Sequence, residues 1–143
     1  MPSLNLKIAG PVQAPAVKEL VEQFVRLTTE VLGKKKEVTT VGVELVPAGL
    51  WFVGGQPLAP GRAGIYLQVN VTEGTNTKDD KAAFLKGAFA AAEAVLGAVD
   101  PASYILVHDV PADAYGYGGV TQERRYIQAK APAEQPAARL RAL

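Results

Sequence analysis

Few side chains in this sequence are of the types that usually carry catalysis. The single histidine, His108, lies beside Asp109 in an apolar run, and a histidine next to a carboxylate can exchange a proton near neutral pH. A hydrogen-bonded structural histidine is the competing interpretation, and we favour it because a lone histidine is weak evidence of catalysis. The absence of cysteine excludes thiol nucleophiles, and one histidine cannot build a multi-histidine metal site. We therefore expect neither a metal nor an organic cofactor.

Two groups of cationic side chains are candidates for binding an anionic substrate. Lys34 opens a run of three lysines, residues 34–36, and Arg124 and Arg125 form a pair further along the chain. Each group has a structural alternative. Lysines at a helix end are stabilised by the helix dipole while solvated, and arginines on a surface form ion pairs. Arg62 lies in a Pro-Gly segment and is expected to face solvent.

Composition and charge narrow the classes of partner. The 143 residues are 48% hydrophobic and 20% charged, and 15 basic against 14 acidic residues leave a net charge of +1. A chain of this size can bury an apolar core without metals or crosslinks. The balanced charge provides no overall attraction to nucleic acid or to an anionic membrane, so we expect neither partner. No segment resembles a membrane helix or a signal peptide, and we expect a cytoplasmic protein.

The sequence repeats itself at an interval of about 64 residues. The Val-Leu-Gly of residues 31–33 recurs at 95–97, the Val-Pro-Ala of residues 46–48 recurs at 110–112, and the Gly-Gly of residues 54–55 recurs at 118–119. Three coincidences in one register indicate an internal duplication. We therefore predict a single domain, residues 1–143, made of repeat one (2–60), a linker (56–63), repeat two (64–128) and a C-terminal tail (129–143).

Each half reads as strand, helix, strand and hairpin. Apolar residues alternate from Leu4 to Ile8 and again from Leu67 to Val71, which is the period of a strand with one wet face. Three-and-four spacing predicts a first helix over residues 14–32. A second helix is predicted from an N-cap at Asn76 or Thr77, through an Ala-rich body, to a stop at Gly97. Apolar runs at 41–46 and 104–110 predict further strands, each followed by a Pro-containing turn and a Gly-Gly hairpin.

This order of elements predicts an α+β fold. A strand-helix-strand crossover makes its two strands parallel and places the helix across one face. Two tandem β-α-β repeats can therefore form a four-stranded sheet covered by two helices on one face. The other face of the sheet is left without cover, so we expect the chain to associate with further copies of itself.

Four segments of the chain together resemble the tautomerase superfamily, which includes 4-oxalocrotonate tautomerase, the cis-3-chloroacrylic acid dehalogenases and macrophage migration inhibitory factor. These segments are the opening Met1-Pro2, residues 52–55, residues 66–74 and residues 115–119. The resemblance extends from residue 2 to about residue 128. It implies two β-α-β units fused in one chain, and a homotrimer in which the sheets face inward around the threefold axis.

The resemblance also gives Pro2 a catalytic role. In this family the initiator methionine is removed, and the secondary amine of the new N-terminal proline acts as a general base or acid. Desolvation and neighbouring cations lower the pKa of such an amine towards neutrality, so that it can take a proton beside a carbonyl and return it elsewhere. An intact Met1-Pro2 bond would instead leave a tertiary amide without a basic nitrogen. A proline at a strand entry is the structural alternative.

Aromatic residues just before the hairpin glycines form a pocket wall in the family. Trp51 and Tyr115 stand at this place in the two halves, and Tyr117 follows closely. The resemblance places second-repeat residues near the first N-terminus, so Tyr115 and Tyr117 are expected to line the pocket of Pro2. Packing at a contact between subunits explains these aromatics equally well.

Many family members hold a substrate carboxylate with arginines, whose planar fork makes two parallel hydrogen bonds. The positions that correspond to these arginines carry no cation here; they are Val12, Thr40, Thr75 and Tyr104, with Thr72 and Thr75 at the paired positions of the dehalogenases. Lys34 resembles the pocket-rim lysine of macrophage migration inhibitory factor. We therefore expect Lys34 or Arg124 to bind the carboxylate.

Two functions of different classes remain open. The first is a cofactor-independent keto-enol tautomerase or isomerase that acts on a small alpha-keto acid or enol, with Pro2 moving the proton. The second is a catalytically weak or inactive trimer of the same fold that serves as a binding or structural module. A hydratase-like or dehalogenase-like activity is a variant of the first, and the missing arginines argue against it.

Overall fold

The secondary structure follows the duplicated pattern of the sequence. The computed structural model describes residues 2–130. The first half comprises β1 (Ser3–Ala9), α1 (Ala14–Glu30), β2 (Thr40–Val46) and a hairpin of β3 (Phe52–Val53) and β4 (Gln56–Pro57). The second half comprises β5 (Gly64–Thr72), α2 (Lys78–Leu96), β6 (Tyr104–Val110), a hairpin of β7 (Gly116–Tyr117) and β8 (Val120–Thr121), and α3 (Gln122–Lys130). Residues 131–143 of the predicted tail lie outside the described residues.

The main sheet has the strand order β2-β1-β5-β6. Both strand pairs within a repeat, β1 with β2 and β5 with β6, are parallel, as a crossover helix requires. The two repeats meet at the centre, where β1 runs antiparallel to β5 and Leu6 pairs with Leu67. The predicted α+β fold with two β-α-β repeats is confirmed.

The core lies between this sheet and the two long helices. Alternate residues of β1 and β5 are buried on the helix side, and Phe24 of α1 and Phe84 of α2 are the largest side chains packed against them. Small residues of α2, Ala88 and Ala92, are fully buried as well. The apolar residues that alternate along the strands therefore pack against those spaced three and four apart along the helices, and together they form one apolar layer.

The helix ends follow local signals. α1 ends at Glu30, two residues before the predicted end: the Val31 N–H makes the last helical bond, to the Leu27 carbonyl, and Gly33 with a φ of 69° then turns the chain out of the helix. α2 begins after Thr77 in a capping box, in which the Thr77 hydroxyl accepts from the Asp80 N–H and the Asp80 carboxylate accepts from the Thr77 N–H, both at 3.0 Å. None of the helices within residues 2–130 is long and apolar enough to cross a membrane.

Both hairpins turn on their glycine pairs. Gly54 and Gly55 have φ of 59° and 80°, and Gly118 and Gly119 have φ of 61° and 79°. Two successive residues with positive φ are required by the type I′ turn that best matches the twist of a two-residue hairpin. Side chains with a Cβ avoid this conformation, so the glycines allow the chain to turn tightly here.

The face of the sheet opposite the helices carries a polar network. The Asn70 amide donates to the Ser3 hydroxyl at 3.1 Å and accepts from Gln68 at 2.9 Å. His108 lies on this face, 3.1 Å from the Asn70 side-chain oxygen, while Asp109 points to the helix side and pairs with Lys81. Successive strand residues face opposite ways, so His108 and Asp109 do not form an acid-base pair.

α3 was not predicted. Its first turn is capped by the Thr121 hydroxyl, which accepts from the Arg124 N–H at 3.1 Å, and Glu123 lies in that turn. A threonine followed by acidic and long polar residues is a helix-start signal that the sequence does contain. α3 packs mainly against the turn of residues 112–114 and against β8, so it belongs to the second hairpin.

Candidate active site

One end of the sheet gathers most of the predicted site residues. Because β1 is antiparallel to β5, the start of β1 lies beside the end of β5. β2 begins and β6 ends at this same end of the sheet, because β2 is parallel to β1 and β6 is parallel to β5. We call this end of the sheet the Pro2 end, and the opposite end, where β5 begins, the Gly64 end. The second hairpin and α3 follow β6 and therefore lie at the Pro2 end.

Pro2 precedes the first residue of β1 and is fully buried. Its carbonyl accepts a hydrogen bond from the Thr40 N–H at 3.4 Å, so it continues the pairing of β1 with β2. The pairing register, Ser3 with Thr40 and Tyr66 with Tyr104, makes Ile65 the counterpart of Pro2 in the second repeat. That position is internal to the chain, so each chain has at most one terminal proline amine.

Tyr115 reaches the same end of the sheet from the second repeat. Its hydroxyl donates to the backbone carbonyl of Asn70 at 3.0 Å. Asn70 is the residue paired with Ser3, directly after Pro2. The structure thus brings Tyr115 to the end of the sheet at which β1 starts, while its expected place in a pocket of Pro2 stays a prediction.

A cavity of about 580 Å³ opens at the Pro2 end between the end of α1 and the second hairpin. We call it the Lys34 pocket. Its polar and charged lining comes from both repeats: Glu30, Lys34, Lys35, Thr75, Asn76, Asp80, Gln122 and Arg125. Tyr117 supplies an aromatic wall, and Val38, two residues before the strand that pairs with Pro2, lies on the first-repeat side.

Lys34 is held in this pocket by a long-range contact. Its ammonium donates to the Thr75 hydroxyl at 2.7 Å, and that hydroxyl in turn donates to the Thr72 carbonyl at 2.6 Å. Burial lowers the pKa of Lys34 from 10.5, while the carboxylates of Asp80 and Asp109 partly oppose this shift. Lys34 is therefore distinct from the other two lysines of its run, which are exposed.

Arg125 is the pocket cation that comes from the second repeat. Its guanidinium carbon lies 3.8 Å from the centre of the Tyr117 ring, and its Nη2 donates to the Tyr117 carbonyl at 2.7 Å. Its Nε is buried and has no hydrogen-bond partner among the described residues. The guanidinium is thus positioned by a ring face and a backbone bond, while its buried Nε–H is left without a partner among residues 2–130.

Arg124, predicted as a possible carboxylate ligand, is placed differently. Its side chain is exposed and does not line the Lys34 pocket. Successive helix residues point about 100° apart, so α3 presents Arg125 where it cannot present Arg124. Gln122, three residues before Arg125 and on the same helix face, also lines the pocket. The spacing of residues 122 and 125 would have indicated this face, had α3 been predicted.

Trp51 lies at the Gly64 end, away from the other candidates. Its indole packs so tightly on Gly64 that a Cβ added there would lie 2.6 Å from the indole Nε1. A single chain therefore brings Lys34, Tyr115 and Tyr117 to the end that begins with Pro2, and it does not bring Trp51 there.

Two carboxylates line the pocket: Glu30, which pairs with Arg26 at 2.8 Å, and Asp80. The pKa of Asp80 is lowered first by the hydrogen bond from the Thr77 backbone and then by the bond from the Asn76 side chain. Two donors from the helix start therefore already engage this carboxylate. The pocket lining combines three cations, Lys34, Lys35 and Arg125, with two carboxylates that already have partners: Asp80 in its helix cap and Glu30 in an ion pair with Arg26.

Comparison with known proteins shows similarity both in sequence and in fold. Residues 66–125, within the second repeat, match the family model described as Tautomerase enzyme. No curated protein has significant sequence similarity to the chain.

Solved structures share the fold at low sequence identity. A fused 4-OT wild-type symmetric trimer is 20% identical with a TM-score of 0.76, over 85% of this chain and 96% of that one. Pt0534 inactivated by 2-oxo-3-pentynoate is 18% identical with a TM-score of 0.76, over 86% of this chain and 98% of that one. A macrophage migration inhibitory factor-like protein from Entamoeba histolytica is 15% identical with a TM-score of 0.70, over 84% of this chain and 97% of that one.

Proposed function

We propose that this chain, a member of the tautomerase superfamily, is a cofactor-independent keto-enol tautomerase or isomerase of a small alpha-keto acid or enol. Pro2, freed by removal of Met1, is the general base and acid. The observation that carries the proposal is the clustering at one sheet end: Pro2 opens β1 where Tyr115 bonds to Asn70 and where Lys34 and Arg125 line a pocket. Family membership alone does not assign an activity, and this arrangement supports one.

The proposed reaction is a proton transfer in two steps. The neutral amine of Pro2 takes a proton from the carbon beside the substrate carbonyl, the C–H electron pair forms the enol double bond, and the carbonyl oxygen takes up the charge. The resulting ammonium then returns a proton to another carbon or to oxygen, which restores the amine. The buried surroundings of Pro2 favour the neutral, basic form of an amine.

The pocket cations are proposed to orient the substrate through its carboxylate. Thr75 stands where the resemblance expects an arginine, and in this chain its hydroxyl holds Lys34. Lys34, which follows α1, therefore brings a positive charge to the position at which the resemblance expects an arginine. Pt0534, which shares the fold, was solved after inactivation by 2-oxo-3-pentynoate. This small 2-keto acid is our model for the substrate class.

The functional form is proposed to be a homotrimer. Solved relatives are described as trimers, both symmetric and asymmetric. The sheet face opposite the helices carries an organised polar network without cover in the single chain, and β2 and β6 are edge strands. Assembly around an axis would cover this face and these edges. Light scattering should give three times the chain mass.

The alternative function is a binding or structural module with the same fold. The observation that favours it is that Pro2 is fully buried and is not among the residues that line the Lys34 pocket. A chain that retains Met1 would have no amine at Pro2, and its pocket would then bind a ligand without catalysis.

The cytoplasmic location of the protein stays a prediction.

The state of the N-terminus can be tested directly. Intact-mass analysis should show loss of Met1. Treatment with 2-oxo-3-pentynoate, an electrophilic alkyne to which an amine can add, should attach one reagent molecule to the peptide that begins with Pro2. A mass that includes Met1, or labelling only at a lysine, contradicts the proposal.

The role of the amine can be tested by kinetics. Ketonisation of the enol of phenylpyruvate, followed by ultraviolet absorbance, should be slowed about 100-fold or more in Pro2→Ala, since general acid-base catalysis contributes about 10² to 10⁴. Pro60→Ala, an exposed proline outside the strands, is the matched control and should retain the wild-type rate. Equal rates for the two variants would reject the catalytic role of Pro2.

A further inference from the structure

We propose that Arg125 and Gln122 of α3 form the subsite for the substrate carboxylate and for the oxygen beside it, with Lys34 on the facing side of the pocket. The inference deepens the proposed function and rests on it for the identity of the substrate. It also selects a narrower ligand class: a carboxylate that carries a hydroxyl on the adjacent carbon, as in a 2-hydroxy acid or in the enol of a 2-keto acid.

The first observation is the state of the Arg125 side chain. Stacking on Tyr117 at 3.8 Å and donation of Nη2 to the Tyr117 carbonyl engage one face and one nitrogen of the guanidinium. The buried Nε has no partner among the described residues, although a buried donor normally has one. A carboxylate bound at this edge would accept from the vacant donor and complete a charge-assisted contact.

The second observation is an unpartnered acceptor on the same face of α3. The side-chain oxygen of Gln122 is buried and has no partner within residues 2–130. Gln122 and Arg125 are three residues apart on one helix, so their side chains leave the same helix face, and both residues line the pocket. A donor beside an acceptor is complementary to a carboxylate beside a hydroxyl.

The third observation is the charge balance of the pocket. Lys34 approaches from the first repeat, anchored to Thr75, and adds a second positive charge opposite α3. Lys35 also lines the pocket, and so do two carboxylates that already have partners: Asp80 accepts from the Thr77 backbone and from Asn76, and Glu30 pairs with Arg26. The remaining local field therefore favours an anion, although the chain as a whole is nearly neutral.

The test measures binding separately from catalysis. Calorimetry with 2-hydroxybutanoate as a non-reacting probe should give a Kd for the wild type that rises about tenfold or more in Arg125→Met, because a charge-assisted contact is lost. Arg124→Met is the matched control, one residue away on α3 and exposed, and should stay within twofold. Arg125→Lys should not restore affinity, because a lysine cannot present a guanidinium edge while stacked on Tyr117.

Gln122 is tested through selectivity. The wild type should prefer 2-hydroxybutanoate to 2-methoxybutanoate, which lacks the hydroxyl proton, and Gln122→Met should remove this preference while retaining carboxylate binding. Equal Kd values for Arg124→Met and Arg125→Met, with both variants folded by circular dichroism, would overturn the proposed subsite. An unchanged preference in Gln122→Met would overturn the role of the hydroxyl.

The same experiment separates this inference from the proposed function. Pro2→Ala should bind 2-hydroxybutanoate with close to the wild-type Kd, because the proposed contacts to the carboxylate and the hydroxyl come from Arg125, Gln122 and Lys34. Loss of catalysis with retained binding supports both proposals. A catalytically inert wild type that still binds through Arg125 would reject the enzyme function and leave the subsite standing.

Discussion

The Lys34 ammonium donates a hydrogen bond of 2.7 Å to the hydroxyl of Thr75, a residue 41 positions away in the other repeat. Lys34 follows α1 and Thr75 follows β5, so the bond joins the end of the first helix to the loop that leads into the second. It closes one side of the pocket whose other side is formed by α3. The pocket is therefore a product of both repeats, and neither half contains it alone.

Lys34 should give the proposed activity an alkaline limit. Its pKa is lowered by burial, so its positive charge is present below that pKa and is lost as pH rises through it, earlier than for a lysine at 10.5. KM for a keto acid should rise along this limb while kcat changes less. Lys34→Arg should move the rise to higher pH, since a guanidinium stays charged.

The matched control for Lys34 is Lys36→Arg, an exposed lysine of the same run that does not line the pocket. It should leave the pH profile of KM unchanged. A KM in the wild type that stays flat up to the ordinary titration range of lysine would contradict the role of Lys34 as a substrate cation.

Gly116 should be essential to the geometry of the second hairpin. A Cβ at this position would lie 2.0 Å from the Val120 carbonyl oxygen, and a backbone atom cannot move aside cheaply. Gly116→Ala should force β7 from β8 and displace Tyr117 with the Arg125 stacked on it. KM should rise about tenfold, in the range of a lost charge-assisted contact, and the melting temperature should fall.

Gly49→Ala is the control for this substitution. A Cβ at Gly49 has no neighbouring atom within 4 Å, and its φ is not positive. Both KM and melting temperature should remain at wild-type values. If the two alanine variants behave alike, the hairpin does not position the pocket.

Thr77 should contribute measurable stability through the α2 cap. Thr77→Ala removes the hydroxyl that accepts from the Asp80 N–H and should lower the free energy of unfolding by about 1 kcal/mol. Thr77→Ser keeps the acceptor and should stay close to the wild type. Urea unfolding at one fixed protein concentration measures both, and equal losses for the two variants would show that the hydroxyl bond is not the cause.

Asp80 should make stability depend on acid pH. Its pKa is lowered, so its stabilising contribution is complete above the unfolded value of about 3.9 and disappears as pH falls through the lower folded value. Asp80→Asn should therefore be less stable than the wild type at pH 7, and the difference should shrink in strong acid. A difference that is independent of pH would mean that the carboxylate charge plays no part in the cap.

Much of the fold could be predicted because its signals are local. The alternation through Leu4 and Leu6, the capping threonine at Thr77 and the stop at Gly97 each depend on a few neighbouring residues. The duplication also predicted which strands pair, because a strand-helix-strand repeat with a crossover helix makes its two strands parallel. α3 escaped prediction because its nine residues carry no buried apolar stripe and depend on the hairpin beside them.

The site divides differently between sequence and structure. The sequence alone determined the repeat, the candidate amine at Pro2 and the presence of cations among residues that lack the expected arginines. Trp51 and Tyr115 stand at matching places in the two halves, yet only Tyr115 lies at the Pro2 end. The reason is that β1 and β5 are antiparallel, so equivalent residues of the two repeats lie at opposite ends of the sheet.

Which cations share a pocket was decided only by the tertiary structure. Lys34 meets Thr75 across the boundary between the repeats, and the rotation of α3 with the stacking on Tyr117 selects Arg125 over Arg124. Side-chain direction and long-range contact depend on the packing of whole elements, and composition or spacing along the chain does not contain that information.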